Sequence, residues 1–282
     1  LADDAGNPLP VSTSISDAFI DTAGGGRLLD WRYYPLLNYK QNRTSARLDE
    51  LFASIGARIN ILPSLSLNLG YQYQKQRVAN EKLSDVESFE ARNMINLYSQ
   101  LDWTSGLINY IIPPGGIRAL GNATTQSQTG RAQLNFDRTW TDHSLTALAG
   151  AEMREARTFS DEYTTYGYNA DPLSNARVDF LNLYPLFTGG SAVVPGAPVA
   201  SDVVYRFVSY YANASYVYKG RYILSGSMRR DGSNIFGVKT NDRWKPLWSV
   251  GAGWKISDES FYRFSAVPVL KLRASYGYSG NV

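Results

Sequence analysis

Four stretches in the last third of the chain alternate apolar and polar residues with a period of two, each for about ten residues. Within 204–218, Val208, Tyr210, Ala212, Ala214 and Tyr216 oppose Ser209, Asn213 and Ser215. Within 221–230, Tyr222, Leu224, Gly226 and Met228 oppose Arg221, Ser225, Ser227 and Arg229. Within 247–256, Trp248, Val250, Ala252, Trp254 and Ile256 oppose Ser249, Gly251, Gly253 and Lys255. Within 269–278, Leu270, Leu272, Ala274, Tyr276 and Tyr278 oppose Lys271, Arg273, Ser275 and Gly277. Such a period sends the two sets to opposite faces of a sheet. Strands in globular proteins usually run about 5–6 residues, whereas a tilted strand that crosses a bilayer needs about 9–11.

The same pattern occurs twice upstream. Leu51, Ala53, Ile55, Ala57, Ile59 and Ile61 alternate with polar neighbours over 50–61, and Leu65, Leu67, Leu69, Tyr71 and Tyr73 do so over 65–75, across the turn Leu62-Pro63-Ser64. A second hairpin spans 131–140 and 145–157, with Ala132, Leu134, Phe136 and Trp140, then Leu145, Ala147, Ala149, Ala151 and Met153, on the apolar side. Residues 1–48 show no sustained alternation; Gly24-Gly25-Gly26 and the aromatic Trp31-Arg32-Tyr33-Tyr34-Pro35 read as an exposed, extracellular loop region. Residues 76–127 also lack a strand pattern and are expected to hold a helix. Ser84 with Glu87 reads as its capping box, and Val86, Phe89, Met94, Leu97 and Leu101 follow.

The connections sort by length. Short ones follow Ile61, Trp140 and Tyr218, the one after Ile256 is intermediate, and long or medium ones follow Tyr73, Arg154 and Arg230. Short turns at one end and long loops at the other are the pattern of an outer-membrane β-barrel. The aromatics sort in the same way. Tyr71, Tyr73, Trp248 and Tyr276 fall toward the long-loop ends, and Trp140, Tyr216, Tyr222 and Trp254 toward the short turns, as girdles flanking an apolar band. Arg58, Arg131, Glu152, Arg154, Arg229 and Lys255 fall on the opposite face, which must then be wet. No run of 18 apolar residues exists, so a transmembrane helix is excluded.

Chemistry-bearing motifs are few. With no Cys and a single His, the chain offers no thiolate or multi-histidine metal site. Asp142-His143-Ser144 are consecutive in a turn and cannot adopt the spatial arrangement of a catalytic triad. The glycine triplet lacks the Lys-Ser/Thr of a phosphate-binding loop. Asp231-Gly232-Ser233-Asn234 lacks the later acidic ligand of a calcium loop. The net charge of +3 is scattered rather than clustered, which argues against nucleic acid as a partner. No cofactor or enzymatic activity is expected.

The run YYANASYVYKGRYILSGSMRRDGSNIFG, followed by PLWSVGAGWKISDESF and LKLRASYGYSGN, resembles the barrel of the SusC/RagA-type TonB-dependent outer-membrane transporters. ESFEARNMINLYSQ, IPPGGIRAL and GAEMREAR resemble the same family more weakly. The resemblance implies import of oligosaccharides or peptides, an outer SusD-like lipoprotein, outer-membrane lipid around the barrel, and energy from the TonB complex acting on a plug domain. No plug is read in these residues. The chain is therefore expected to supply eight strands, over 49–282, of a barrel of about 22 strands, with extracellular loops. Those strands are expected at about 50–61, 65–75, 131–140, 145–157, 204–218, 221–230, 247–256 and 269–278. The loop aromatics Tyr33, Tyr34, Tyr163, Tyr166 and Tyr168 are the candidates for contact with substrate or partner. The alternative is a structural or adhesive surface barrel whose long loops bind a partner without transport.

Overall fold

The computed structural model of the protein describes residues 2–234 and 246–280. Residues 235–245, in the connection after Arg230, and residues 281–282, at the end of the barrel-like run, lie outside the described residues. Eight long strands follow one another in sheet order as they do in sequence. They are β1 (Asn42–Leu62), β2 (Leu65–Ser84), β3 (Gly116–Trp140), β4 (His143–Ala170), β5 (Val199–Tyr218), β6 (Tyr222–Ser233), β7 (Pro246–Lys255) and β8 (Lys271–Tyr278). A ninth short strand, Leu173–Ala176, pairs antiparallel with the end of β4. Three helices are α1 (Asp17–Thr22), α2 (Pro35–Gln41) and α3 (Phe89–Leu97).

The register between β5 and β8 brings the alternating sets together. Ala212 pairs with Met228 and Tyr216 with Leu224. Leu224 pairs with Ala252, and Tyr222 with Trp254. Ala252 pairs with Ala274, and Val250 with Tyr276. Directly paired residues share a face, so one face is apolar across four strands. The other face pairs Tyr211 with Arg229, Ser227 with Ser249 and Lys255 with Lys271. A slip of one residue in any strand would exchange the two sets.

Several strands exceed the lengths expected from alternation. β1 begins at Asn42, β2 continues to Ser84, β3 starts at Gly116 and β4 ends at Ala170. Residues 1–48, 76–127 and 158–202 are therefore not loops alone. The added lengths carry polar residues on both faces, as in Gln76, Arg77, Glu81 and Lys82. Backbone pairing continues where both faces are wet, but alternation of hydrophobicity does not. At the other end of the chain, β7 is shifted by one residue, to Pro246–Lys255, and β8 starts at Lys271, a little later than expected. The helix cap also differs. Ser84 ends β2 and donates to Asn42 Oδ1 at 2.7 Å. Ser88 caps α3 instead, its hydroxyl accepting the Ala91 N–H at 3.1 Å.

The chain divides into two compact units, one of 1–49, 77–124 and 159–202, the other of 50–76, 125–158 and 203–282. The second contains the turns Pro63-Ser64, Thr141-Asp142 and Lys219-Gly220. Lys219 and Gly220 both take left-handed backbone, at φ 49° and 68°, the conformation of the tight hairpin turn whose twist matches that of its strands.

In this second unit the Tyr211 ring lies over Gly150 of the adjacent strand. A Cβ on Gly150 would sit 2.5 Å from the Tyr211 hydroxyl and 2.9 Å from the Ala132 carbonyl. An aromatic ring that covers a strand glycine restores the packing the glycine lacks. Around a Cβ at Gly130, by contrast, there is open space. Gly150→Val should therefore lower the urea midpoint for unfolding from lipid vesicles, by overpacking worth about 1–3 kcal/mol, while Gly130→Val leaves it near the parent value.

Candidate functional site

The first unit has a hydrophobic core of its own, built from Ile95, Tyr98, Ile112, Tyr166 and Val194. Helix α3 supplies Ile95 on its inner side, and its polar residues tie down the segment before α2. Asn96 Nδ2 donates to the Leu29 carbonyl at 2.8 Å and Asn96 Oδ1 accepts the Leu29 N–H at 3.0 Å. Asn93 Oδ1 accepts the Trp31 indole N–H at 2.7 Å. Arg92 donates to the carbonyls of Asp30 and Glu87 at 2.5 and 3.0 Å and pairs with the Asp30 carboxylate at 3.3 Å. Trp31 is thus buried, in edge contacts with Phe19 and Phe187 at centroid separations of 6.1 and 6.0 Å. The aromatic segment that reads as an exposed loop is a packed element, because α3 offers it amide and guanidinium partners.

The five tyrosines expected to meet a ligand have different fates. Tyr166 is 2 % exposed, and its hydroxyl donates to the Pro195 carbonyl at 2.9 Å. It belongs to the core, which corrects its place among the contact candidates: the i, i+2 spacing with Tyr168 is broken by the left-handed Gly167, φ 61°. Tyr33 is half-buried against Phe89, 5.2 Å between centroids, and its carbonyl accepts the Val11 N–H. Tyr34 stands at the N-cap of α2, where burial and the Asp30 carboxylate push its phenol up. Tyr168 is half-buried under the Arg118 guanidinium, 5.3 Å from the ring centroid, and Arg118 is paired with Glu81 at 2.8 Å. Tyr163 is exposed. Sequence reading passed over Tyr39 and Trp103, which are 66 % and 68 % exposed in the same unit. Their only signal is an aromatic residue between polar neighbours.

The polar face of the second unit is a connected hydrogen-bonding surface. Arg131 Nε donates to the Tyr211 hydroxyl at 2.8 Å, Tyr211 donates to Gln133 Oε1 at 3.0 Å, and Gln133 donates to Asn135 at 2.6 Å. Arg229 binds both oxygens of Asp231 at 2.9 and 2.8 Å and reaches Ser209 at 3.1 Å. Ser209 in turn bonds Asp231. A cleft of about 620 Å³ opens among Arg131, Glu152, Tyr211, Arg229 and Ser249. Among the described residues no group of three or more His, Asp or Glu side chains is arranged to hold a metal ion, and His143 packs between rings rather than beside a nucleophile.

The aromatics expected as girdles meet other rings or polar groups. Trp140, Tyr216, Tyr222 and Trp254 take part in a chain of ring contacts near the short turns. Trp248 meets Tyr276 edge-on at 5.9 Å, and Tyr71 donates to Gln128 at 3.0 Å. Tyr73 is half-buried on the same strand as Tyr71. No described helix is long and apolar enough to cross a membrane.

The family model for the TonB dependent receptor-like β-barrel matches residues 6–282. The chain belongs to that family. A TonB-dependent receptor of Formosa agariphila is 35 % identical over 156 residues, 52 % of this chain and 13 % of that protein. TonB-dependent receptor SusC of Bacteroides thetaiotaomicron is 36 % identical over 75 residues, 26 % of this chain and 7 % of that protein. A structure of the RagAB peptide transporter superimposes with a TM-score of 0.61 over 85 % of this chain and 23 % of that one, at 19 % identity, a likeness of fold. The chain is thus a SusC/RagA-type barrel segment, spanning a small part of the length of its curated relatives, and its family is one of outer-membrane receptors rather than enzymes.

Burial raises the Tyr166 phenol to about 12, against an ordinary value near 10. Its folded form holds a proton that the unfolded form releases first, so its contribution to stability is intact below pH ~10 and is lost as pH rises toward ~12. Thermal melts of the first unit, followed by near-ultraviolet circular dichroism, should lose stability over that window. Tyr166→Phe should be less stable at pH 8 and show a flatter loss.

Proposed function

We propose that this segment forms part of the wall of an outer-membrane transporter that imports oligosaccharides or peptides. The reading that carries it is the sorting of eight strands into one apolar and one polar face, in a chain that belongs to a receptor barrel family. The apolar face meets outer-membrane lipid, and charged residues there would be costly at the midplane. The polar face lines the lumen, where Arg131, Tyr211, Arg229 and Asp231 offer donors and acceptors to a plug domain. TonB would act through that plug. Extracellular segments of such a transporter, read here at 1–48 and 158–202, would meet both the substrate and a SusD-like lipoprotein. Tyr33, Tyr34, Tyr163 and Tyr168 remain contact candidates, since phenol rings cover apolar sugar or side-chain surface at low conformational cost.

Two experiments test this. For the facing, Ala252→Arg should strongly reduce the folded yield in lipid vesicles, at a cost of about 2–4 kcal/mol, because Ala252 pairs with Leu224 and Ala274 on the apolar face. Ser249→Arg, on the polar face, should fold close to the parent yield. Equal yields would count against the facing. For the contact surface, Tyr163→Ala combined with Tyr168→Ala in the full-length receptor should weaken ligand binding or lipoprotein capture at unchanged surface expression. Tyr166→Ala should instead reduce expression, since emptying a buried aromatic site costs about 3–5 kcal/mol. Unchanged affinity and unchanged lipoprotein association in the double variant would remove these tyrosines from the contact surface.

A further inference from the structure

The apolar face of β3 carries one charge that no described side chain answers. Arg138 shares the alternation of Leu134, Phe136 and Trp140, two residues from the short turn that follows Trp140. It is exposed, and among the described residues its guanidinium has no carboxylate, hydrogen-bond or ring partner. Asp137, its neighbour in sequence, falls on the other face, where it accepts from Thr146 at 3.0 Å. Charges of the same face toward the other end of the strands behave differently. Arg206 is paired with Glu155 at 2.6 Å, and Arg157 and Arg230 have partners.

Beside Arg138 runs a ladder of rings across the neighbouring strands. Trp140 stacks on His143 at 5.6 Å, and His143 contacts Tyr218 at 5.0 Å. The ladder continues through Tyr218 and Tyr222 at 6.2 Å to Trp254 at 6.4 Å. His143 Nδ1 is 2.5 Å from the Tyr216 hydroxyl, which orients the imidazole in its place among the rings. A second cation stands on this ladder. Lys219, in its left-handed turn, holds its ammonium 5.4 Å over the Tyr218 ring. Its closest carboxylate is Asp142 at 3.9 Å, with both side chains about half exposed, so solvent weakens that pair.

An unpaired arginine on a lipid-facing strand costs about 2–4 kcal/mol at the bilayer midplane and about 0–1 at the interface. Only an interfacial position is cheap, and aromatic belts mark the interface. There the planar guanidinium can meet a phosphate with two parallel N–H donors. We propose that Arg138, on the same face of β3 as Trp140 and at the end of the strand where the ring ladder and Lys219 stand, binds the phosphodiester of a membrane glycerophospholipid at the rim that carries the short turns. The proposal rests on the facing described under Proposed function.

The test uses the full-length receptor and phosphatidylglycerol as probe. Lipid retained on the detergent-solubilised receptor is counted by native mass spectrometry across a phosphatidylglycerol titration. Arg138→Gln should weaken retention roughly tenfold, the loss of one charge-assisted contact. Lys219→Gln should weaken it less, and Arg138→Lys should keep part of it. Arg58→Gln, on the polar face, should change nothing. A bimane label on Ala149→Cys, in vesicles of brominated lipid, checks the facing separately. An unquenched label overturns both the facing and this site. A quenched label with equal retention by the parent and Arg138→Gln receptors overturns the phosphate site and leaves the barrel standing.

Discussion

In hydrocarbon, a backbone N–H or C=O without a partner costs several kcal/mol, so a chain crosses either as helix or as a closed ladder of strands. No described helix here is long and apolar enough, and the ladder supplies what is required. Each of the eight strands pairs with the next in sequence. Once the ladder is in place, side-chain period follows from geometry, and register decides which face each side chain takes. The pairing Tyr222–Trp254, Leu224–Ala252, Gly226–Val250 and Met228–Trp248 keeps small and large apolar residues on one face, while Ser225, Ser227 and Ser249 share the other.

The two faces are stabilised in different ways. The apolar face needs only a solvent of its own kind, and its few charges lie toward the strand ends. The polar face satisfies itself sideways, through Arg131, Tyr211 and Gln133 and through Arg229, Asp231 and Ser209. Tyr211 serves twice. Its hydroxyl joins that network, and its ring covers Gly150, where no Cβ would fit. A residue that packs the sheet and also joins the hydrogen-bond network of its face restrains both at one place.

Alternation is one source of order in this chain, and a packed core is another. The first unit gathers three separated segments around Ile95, Tyr98, Ile112, Tyr166 and Val194. Its polar groups are satisfied by α3, whose Arg92, Asn93 and Asn96 hold the 29–32 segment. The packed segments hold Tyr163, Tyr39 and Trp103 exposed, and a contact made by residues already held in place avoids the ordering cost that mobile loops impose on recognition.

The family resemblance rested on the sequence runs between Tyr210 and Asn281; alternation was enough to read the long strands and the short turns between them, because within the apolar band every second residue answers to a different solvent. It also sufficed to set aside His143 as a catalytic group, since neighbouring residues in a turn cannot form a triad. The strand extensions to Ser84, Gly116 and Ala170 were not legible, because pairing persists after the solvent contrast that marks it has gone. Arg138 was not legible as a site, because one charge in an apolar set looks like an interruption until the structure shows that no described side chain answers it. The burial of Tyr166 and Trp31 was decided by the tertiary structure alone. Both stand among polar and glycine residues in sequence, and what covers them comes from segments tens of residues away, Pro195 and Ile95 for the one, Asn93 and Phe187 for the other. Local spacing reports which solvent a strand face meets; it carries no record of which distant segment will fold over a loop.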